Sequence, residues 1–405
     1  MAKYLFGNHI YAADNEAWQR ILQKGYGSKL RPSCQCLLGG QQPTLYIEHA
    51  RGIYRLKRMP YSGPLHAPHC EHYEPPPELS GLGQVNGTAI REEPETETTS
   101  LALDFALTKG RSRVVGAPSD VEHESVRSDG TKLTMRGLLH YLWDEAGLTR
   151  WTPAMAGKRS WFIVRRELLG AAFSKKTKGR FLSEVLYIPE SFSLELADEI
   201  KGRQQSSMSV LSETSNSRML LIGEIKLLED ARFGKSIVIK HMPDVRLMLT
   251  DDLAKHLQNR FAQQLQLWGL IESSHLVMLA TISRSGQGVL NLESACLVNA
   301  NSQWIPFESS FEWELLEKLH LGARRFVKGL RYNMASSKPL ASVVLKDTGD
   351  VSTALFVVPQ ELEGNFERAV TELSEQTKMQ AWVWKTGGQV IPALPKRMVG
   401  LNERP

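Results

Sequence analysis

With 405 residues, 42% of them hydrophobic and 23% charged, the chain has ordinary globular composition and length for about two to three domains. A net charge of +5 is a mild excess that does not by itself announce a nucleic-acid binder. No apolar run reaches the roughly 18–20 residues of a membrane span, and Met1-Ala2-Lys3-Tyr4-Leu5-Phe6 lacks the apolar segment of a secretory signal; a cytoplasmic, reduced protein without a membrane partner is expected.

Residues 1–90 read as a first unit built around cysteines. Three of the four cysteines lie here, as Cys34-x-Cys36 and Cys70, and the second arm is rich in imidazoles: His66-Ala67-Pro68-His69-Cys70-Glu71-His72. Thiolates are soft ligands and neutral imidazole is borderline, so two cysteines on one loop and a His/Cys pair on another suit tetrahedral Zn²⁺. His66 and His72 are both open as fourth ligand. Cys70-x-His72 completes a pattern that resembles the SWIM zinc finger, with a longer gap than is usual there. A full set of four donors, with no Glu base placed on a helix, points to a closed structural site rather than a catalytic one. Strand-like 44–47 and 52–56 form an expected hairpin bringing the two loops together. Pro75-Pro76-Pro77 stops regular structure, and the acidic Glu92–Thr99 stretch is the best linker or surface-loop candidate of the first half.

The second unit, 100–200, carries the most uneven charge. A helix is predicted from Arg136 to Gly147 and another from Gly157 through Phe173. Between Arg150 and Leu182 lie Arg150, Lys158, Arg159, Arg165, Arg166, Lys175, Lys176, Lys178 and Arg180, against Glu167 alone. Helix, turn, basic helix and basic loop is the order of a winged helix-turn-helix, whose second helix enters the major groove while the wing tracks phosphate. Lys158, Arg159, Arg165, Arg166, Lys175, Lys176, Lys178 and Arg180 are therefore the candidate contacts to DNA or RNA. A solvated basic face that touches nothing is the plainer alternative.

A polar stretch over 202–217 suggests another boundary. The third unit, 218–390, alternates strands (218–228, 235–241, 275–283, 288–298, 340–346, 353–358, 381–386) with helices (251–268, 310–331, 361–379). A strand–strand–helix block starts near 218, 275 and 340, and the fold class is a multi-domain α+β. Glu224 and Lys226 share a strand face, an E-x-K arrangement that resembles half of a PD-(D/E)xK nuclease site. Upstream, 202–217 offers only Glu213, and Asp347 fits as a ligand only in a permuted fold. A cross-strand charge pair is the competing reading. The late basic residues of 310–331, Arg324, Arg325, Lys328 and Arg331, suit a helix dipole. Cys296 sits in an apolar run and reads as buried and inert.

Several stretches resemble the bacterial domain-of-unknown-function family eleven-seventy-three. They are Arg31–Cys36, Lys57–Pro60, His66–Cys70, Ser80–Gly83, Leu138–Trp143, Gly223–Lys226 and Gly329–Asn333. That resemblance covers nearly the whole chain, and its most specific part is the three-cysteine pattern. It implies a setting in mobile-element DNA, on plasmids and integrating elements, and makes His66 the preferred fourth ligand. It implies no established activity. The expected function is zinc-containing nucleic-acid binding in mobile-element maintenance or transfer. A metal-dependent nuclease and a zinc-based protein–protein adaptor are the alternatives.

Overall fold

The computed structural model describes residues 2–50, 52–108, 130–211, 217–231, 234–388 and 390–398. Its first strands, β1 (Lys3–Phe6), β2 (His9–Ala12) and β3 (Ser33–Cys34), form a small antiparallel sheet in the order β2-β1-β3. Helix α1 (Trp18–Gly27) and the expected hairpin, β4 (Leu45–Ala50) with β5 (Ile53–Arg58), pack around it. Tyr4, Phe6, Leu22, Leu45 and Ile47 give this module its own apolar core, which also takes in Cys34 and Cys70.

After a short helix α2 (Leu82–Val85), the acidic stretch expected to be a linker is a β-hairpin, β6 (Ile90–Glu93) and β7 (Thr98–Leu101). Its threonines favour strand, and Glu97 makes the turn with positive φ. Helix α3 (Met135–Glu145) starts where Thr134 caps the Gly137 amide and ends before Gly147, whose φ is +68°. Then come β8 (Arg150–Trp151), α4 (Trp161–Phe173), the hairpin β9 (Lys175–Thr177) and β10 (Arg180–Phe181), β11 (Leu186–Tyr187) and α5 (Ala197–Ser207).

Helix, helix, hairpin is thus the order of elements, but these elements are stitched into their surroundings. β9 lies parallel to β7, giving a four-stranded sheet β10-β9-β7-β6. β8 pairs with a strand near residue 327 and β11 with one near 220. One apolar core runs from Val85 through α3 and α4 to Tyr332.

The third stretch holds two sheets. The first has β12 (Met219–Asp230), β13 (Lys235–Ile239), β14 (Met242–Leu249), β15 (His275–Arg284), β16 (Leu290–Ala300) and β17 (Pro306–Phe307). β12, β13, β14, β16 and β15 pair in turn, and β15 returns to β12, so five strands close on themselves. Helices α6 (Asp251–Arg260) and α7 (Ala262–Leu270) bridge β14 and β15. The expected single helix 251–268 breaks at Phe261, and β14 is an unforeseen third strand of the first block.

The second sheet follows α8 (Ser310–Leu321): β18 (Phe326–Lys328), β19 (Val343–Leu345), β20 (Thr353–Val358), then α9 (Glu363–Thr377) and β21 (Gln380–Lys385). Its order is β21-β20-β19-β18-β8. Helix α8 stops at Leu321 rather than continuing to 331. Gly322 follows it, Ala323 turns back with a φ of +48°, and the chain becomes strand. The late basic residues consequently serve ion pairs instead of a helix dipole: Arg324 with Asp347, Lys328 with Glu312, and Arg331 with Glu308. Helices and strands are mixed throughout, an α+β protein. Among the described residues, no helix is long and apolar enough to cross a membrane.

Candidate functional site

Strand β3 places Cys34 opposite Tyr4 in β1, and Cys36 follows two residues later. The second arm folds as a 3-10 turn, Gly63–Leu65, that delivers His66, followed by a turn closed from the Cys70 amide to the Ala67 carbonyl. A side chain at Gly63 would strike Cβ of Glu74 at 2.6 Å, so the arm folds back on itself only with glycine there. Cys34, Cys36, His66 and Cys70 then present one donor atom each, all within 4.8 Å of one another. Sγ of Cys34 and Cys70 are 3.6 Å apart; Nδ1 of His66 lies 3.5 Å from Cys36 Sγ and 3.6 Å from Cys70 Sγ.

A regular tetrahedron with Zn–S near 2.3 Å and Zn–N near 2.05 Å has edges of about 3.8 Å for S–S and about 3.6 Å for S–N. The observed edges fit those lengths, so the residues suit a small tetrahedral ion of soft or borderline character. Nε2 of His66 is buried without a hydrogen-bond partner, which leaves Nδ1 as the nitrogen facing the thiols. Crowding splits the thiols. Hydrogen bonds from Cys34 and Cys70 push Cys36 strongly toward thiolate, while Cys34 is pushed far the other way by its bonds to Cys36 and Cys70. A bound metal would resolve this conflict by taking all three as thiolates.

His72 stands outside the donor set. Its Nε2 is 3.2 Å from the Tyr4 hydroxyl, which donates to Glu71, and burial lowers its pKa to about 4. From the far sheet, Lys346 Nζ donates to the Cys70 carbonyl at 2.8 Å. The metal arm is thereby tied to the body of the protein.

The basic segment is divided by the fold. Lys175 is 2% exposed and donates to Glu145 at 2.7 Å and Thr99 at 3.1 Å, so it faces inward rather than toward phosphate. Its alternation in β9 puts it on the covered face of the sheet. Arg159 donates to the carbonyls of Leu148, Gln303 and Arg150 and pins the turn before α4. Arg165 holds the Ile188 carbonyl at 2.9 Å. Arg166 is exposed and pairs with its neighbour Glu167, and Arg180 lies 3.7 Å from Glu184. Lys158 and Lys178 are exposed on turns, and Lys176 is half-buried on the outer face of its sheet.

That outer face gathers a row that the sequence does not announce. Phe181 stands opposite Lys176, Lys176 beside Ser100, and Ser100 opposite Arg91. The Lys176 ammonium sits 4.7 Å from the centre of the Phe181 ring. Arg91 comes from more than eighty residues upstream, so only strand pairing could have found it.

The E-x-K pair is separated by a β-bulge between Ile225 and Leu227, and Lys226 is exposed. Glu224 is buried; its Oε1 accepts from Lys240 at 2.9 Å and lies 2.8 Å from His275 Nδ1. Burial opposes its ionisation, but hydrogen bonds from His275 and Lys240 outweigh it and lower its pKa. Asp347 stands on the other sheet, its carboxylate taken by the Arg324 guanidinium and the Arg325 amide. Glu213 lies outside the described residues.

A family profile matches residues 4–387, nearly the whole chain. The chain belongs to the family described as protein of unknown function (DUF1173). No curated protein matches it, and no solved structure does. Five of the stretches that carry the family resemblance meet at two places. Arg31–Cys36 and His66–Cys70 meet at the Cys/His cluster. Ser80–Gly83, Leu138–Trp143 and Gly329–Asn333 meet around Tyr332: the Gly81 amide donates to the Leu330 carbonyl and the Tyr332 amide to His140, with Thr134 bonding Asn333 beside them. A Cβ at Gly81 would sit 1.8 Å from the Arg331 carbonyl oxygen, so this approach requires glycine.

Proposed function

We propose that this protein is a zinc-containing nucleic-acid-binding protein, acting on DNA (or RNA) in the mobile-element setting that its family resemblance implies. Zinc is favoured among metals by three thiolates and one imidazole at tetrahedral spacing, with no position left for water. The single observation that carries the binding reading is the outer row Arg91, Ser100, Lys176 and Phe181, with Lys178 at the adjoining turn. Cations interleaved with an aromatic ring on an open sheet face combine phosphate attraction with a stacking platform. The helix–helix–hairpin order keeps the winged-helix reading in view, with this hairpin as the wing. The closed five-stranded barrel is of a size and kind shared with nucleic-acid-binding OB folds, which supports the reading only as fold-level analogy.

The test is affinity for duplex and single-stranded DNA across a salt series, using protein whose zinc content has been measured. Binding should weaken steeply with salt, and Lys176→Glu with Lys178→Glu should reduce the log–log slope by about 2. Metal-loaded protein that shows no salt-dependent affinity for either form defeats the proposal.

A second reading, a protein–protein adaptor built on the metal module, draws on Leu38 and Leu65. They are 94% and 64% exposed beside the ligand residues Cys36 and His66. Capture of a protein partner that is lost in Leu38→Ser, together with absent nucleic-acid binding, would favour it.

A further inference from the structure

A small cleft, with about 50 Å³ open to water-sized groups, lies where the metal module meets α3. Its polar wall is made by Arg58 and Glu74 from the module, Glu92 from β6, and Tyr141, Asp144 and Glu145 from α3. Pro64, Pro77 and Leu82 supply apolar wall beside them. Junctions of this kind between two packed units are common places for small ligands.

The charges around the cleft do not balance. Glu145 takes Lys57 at 3.7 Å and Lys175 at 2.7 Å; Glu74 takes Arg58 and Arg150. Lys57 also serves Glu48, and Glu92 shares Arg58 at 3.8 Å. Asp144 meets only hydroxyls, from Thr149 at 2.6 Å and Tyr332 at 3.0 Å. This network therefore sets five carboxylates (Glu48, Glu74, Glu92, Asp144, Glu145) against four cations (Lys57, Arg58, Arg150, Lys175). Glu92 and Asp144 are the under-compensated pair. Burial raises both pKa values; Glu145 and Glu74 raise Glu92 further against Arg58 and Lys175, and Glu74 raises Asp144 further against Arg150 and its hydroxyl partners.

A second observation is independent of charge. Tyr141 is 3% exposed and lines the same cleft; Thr99 stands near its hydroxyl, but no group meets it in full hydrogen-bond geometry. A buried hydroxyl left unpaired costs on the order of 1–3 kcal/mol, and a donor arriving with a ligand would recover that.

The spacing says which kind of cation fits. Among the described residues, the Cys/His set is the one group of three or more ligating residues whose donor atoms lie within 4.8 Å of one another. No three of the cleft carboxylates form such a group, whereas a bare divalent ion wants several charged oxygens at about 2.0–2.6 Å. An ammonium head with three N–H donors, followed by methylenes, matches separated acceptors beside an apolar wall.

We propose that this cleft binds a small alkylammonium ion, its head among Glu92, Asp144 and the Tyr141 hydroxyl and its chain along Pro64, Pro77 and Leu82. The site is separate from the metal centre and from the basic sheet face.

The test is calorimetric titration of the full-length, metal-loaded protein with 1,4-diaminobutane at low salt. Binding is expected, with 1,4-butanediol giving none. Glu92→Gln, which lies on the cleft wall, should weaken the diamine about tenfold, the loss of one charge-assisted contact. Asp144→Asn should do the same, and Tyr141→Phe should weaken it less. An unchanged melting temperature in Glu92→Gln separates loss of the site from loss of the fold. No binding by wild type at about 10 mM diamine, or equal binding by Glu92→Gln, overturns the proposal. So does equal binding of the diol, or Mn²⁺ alone binding in a Glu92-dependent way.

Discussion

Arg150 donates to the Glu71 carbonyl at 3.0 Å and to Glu74 Oε1 at 2.7 Å, joining strand β8 to the arm that carries Cys70. In the sequence this arginine counts toward a basic segment; in the fold it is a strut between the metal module and the body. Arg150→Ala should lower stability by about 1–2 kcal/mol, the worth of a partly exposed charge-assisted pair. Urea unfolding measures this. The same variant should leave the salt dependence of nucleic-acid binding unchanged, and a flatter salt slope would add Arg150 to the binding surface.

Metal removal should unfold the N-terminal module while the larger core persists, because Cys34 and Cys70 belong to the module's own apolar cluster. Trp18 packs 5.5 Å from Tyr4 and 5.9 Å from Phe6, so its fluorescence reports the change. His66→Ala should lower metal affinity far more than His72→Ala. His66 offers a donor atom, whereas His72 acts through Tyr4 and Glu71 at the edge of the site. The expected loss for His72→Ala is no more than about 10–100-fold, the range of an outer partner. Competition with a chromogenic chelator ranks the two, and the reverse order would make His72 the ligand.

Glu224→Ala should leave any DNA-cleaving activity of the preparation as it was. The residue is already engaged by Lys240 and His275, and the second carboxylate that a nuclease needs, Asp347, is bound to Arg324 on another sheet. The substitution should instead cost about 1–3 kcal/mol, since it takes a buried acceptor from the mostly covered His275, while the half-exposed Lys240 ammonium returns to water. A Mg²⁺-dependent cleavage that disappears with Glu224→Ala, in a variant that remains folded, would reverse this assignment.

What the sequence disclosed, and what it hid, follows from the range of the interactions. The three clustered cysteines were legible because soft ligands at short spacing have few other uses, while spacing left the fourth place open between His66 and His72 and the family resemblance favoured His66. Helix α3 was legible from its apolar stripe and its stop at Gly147, while its cap at Thr134 emerged only in the fold. Strand β14 was missed because Pro243 and Asp244 look like turn residues, yet both are exposed and the strand's buried side is carried by Met242, Leu247 and Leu249. The helix through 331 was overextended because Arg324, Arg325, Lys328 and Arg331 mimic a basic C-terminal turn. Nothing local says that their partners are Asp347, Glu312 and Glu308. The inward aim of Lys175 and the neighbourhood of Arg91 depend on the pairing of β9 with β7, across more than seventy residues. Charge counts along a chain cannot register that.

Acid should weaken the fold through His140. The ring is fully enclosed, and its Nδ1 accepts the Tyr332 amide at 3.0 Å, a role open only to the neutral imidazole. Burial, and then the nearby Arg136, lower its pKa from 6.5 to about 3. The unfolded chain therefore binds a proton at this residue between those two values while the folded chain does not. Stability is complete above pH 6.5, falls as pH drops through the window, and stops falling near pH 3. The slope is about 1.4 kcal/mol per pH unit, so about 2 kcal/mol is lost from this residue between pH 7 and pH 5. In His140→Gln the side-chain oxygen can still accept the amide, but nothing there titrates. Urea unfolding at pH 7 and pH 5 should show a smaller loss for the variant than for the parent, by about that amount. Equal losses in the two proteins would mean that His140 takes up its proton in the fold over the same range as in the unfolded chain, with the Tyr332 amide bonded elsewhere.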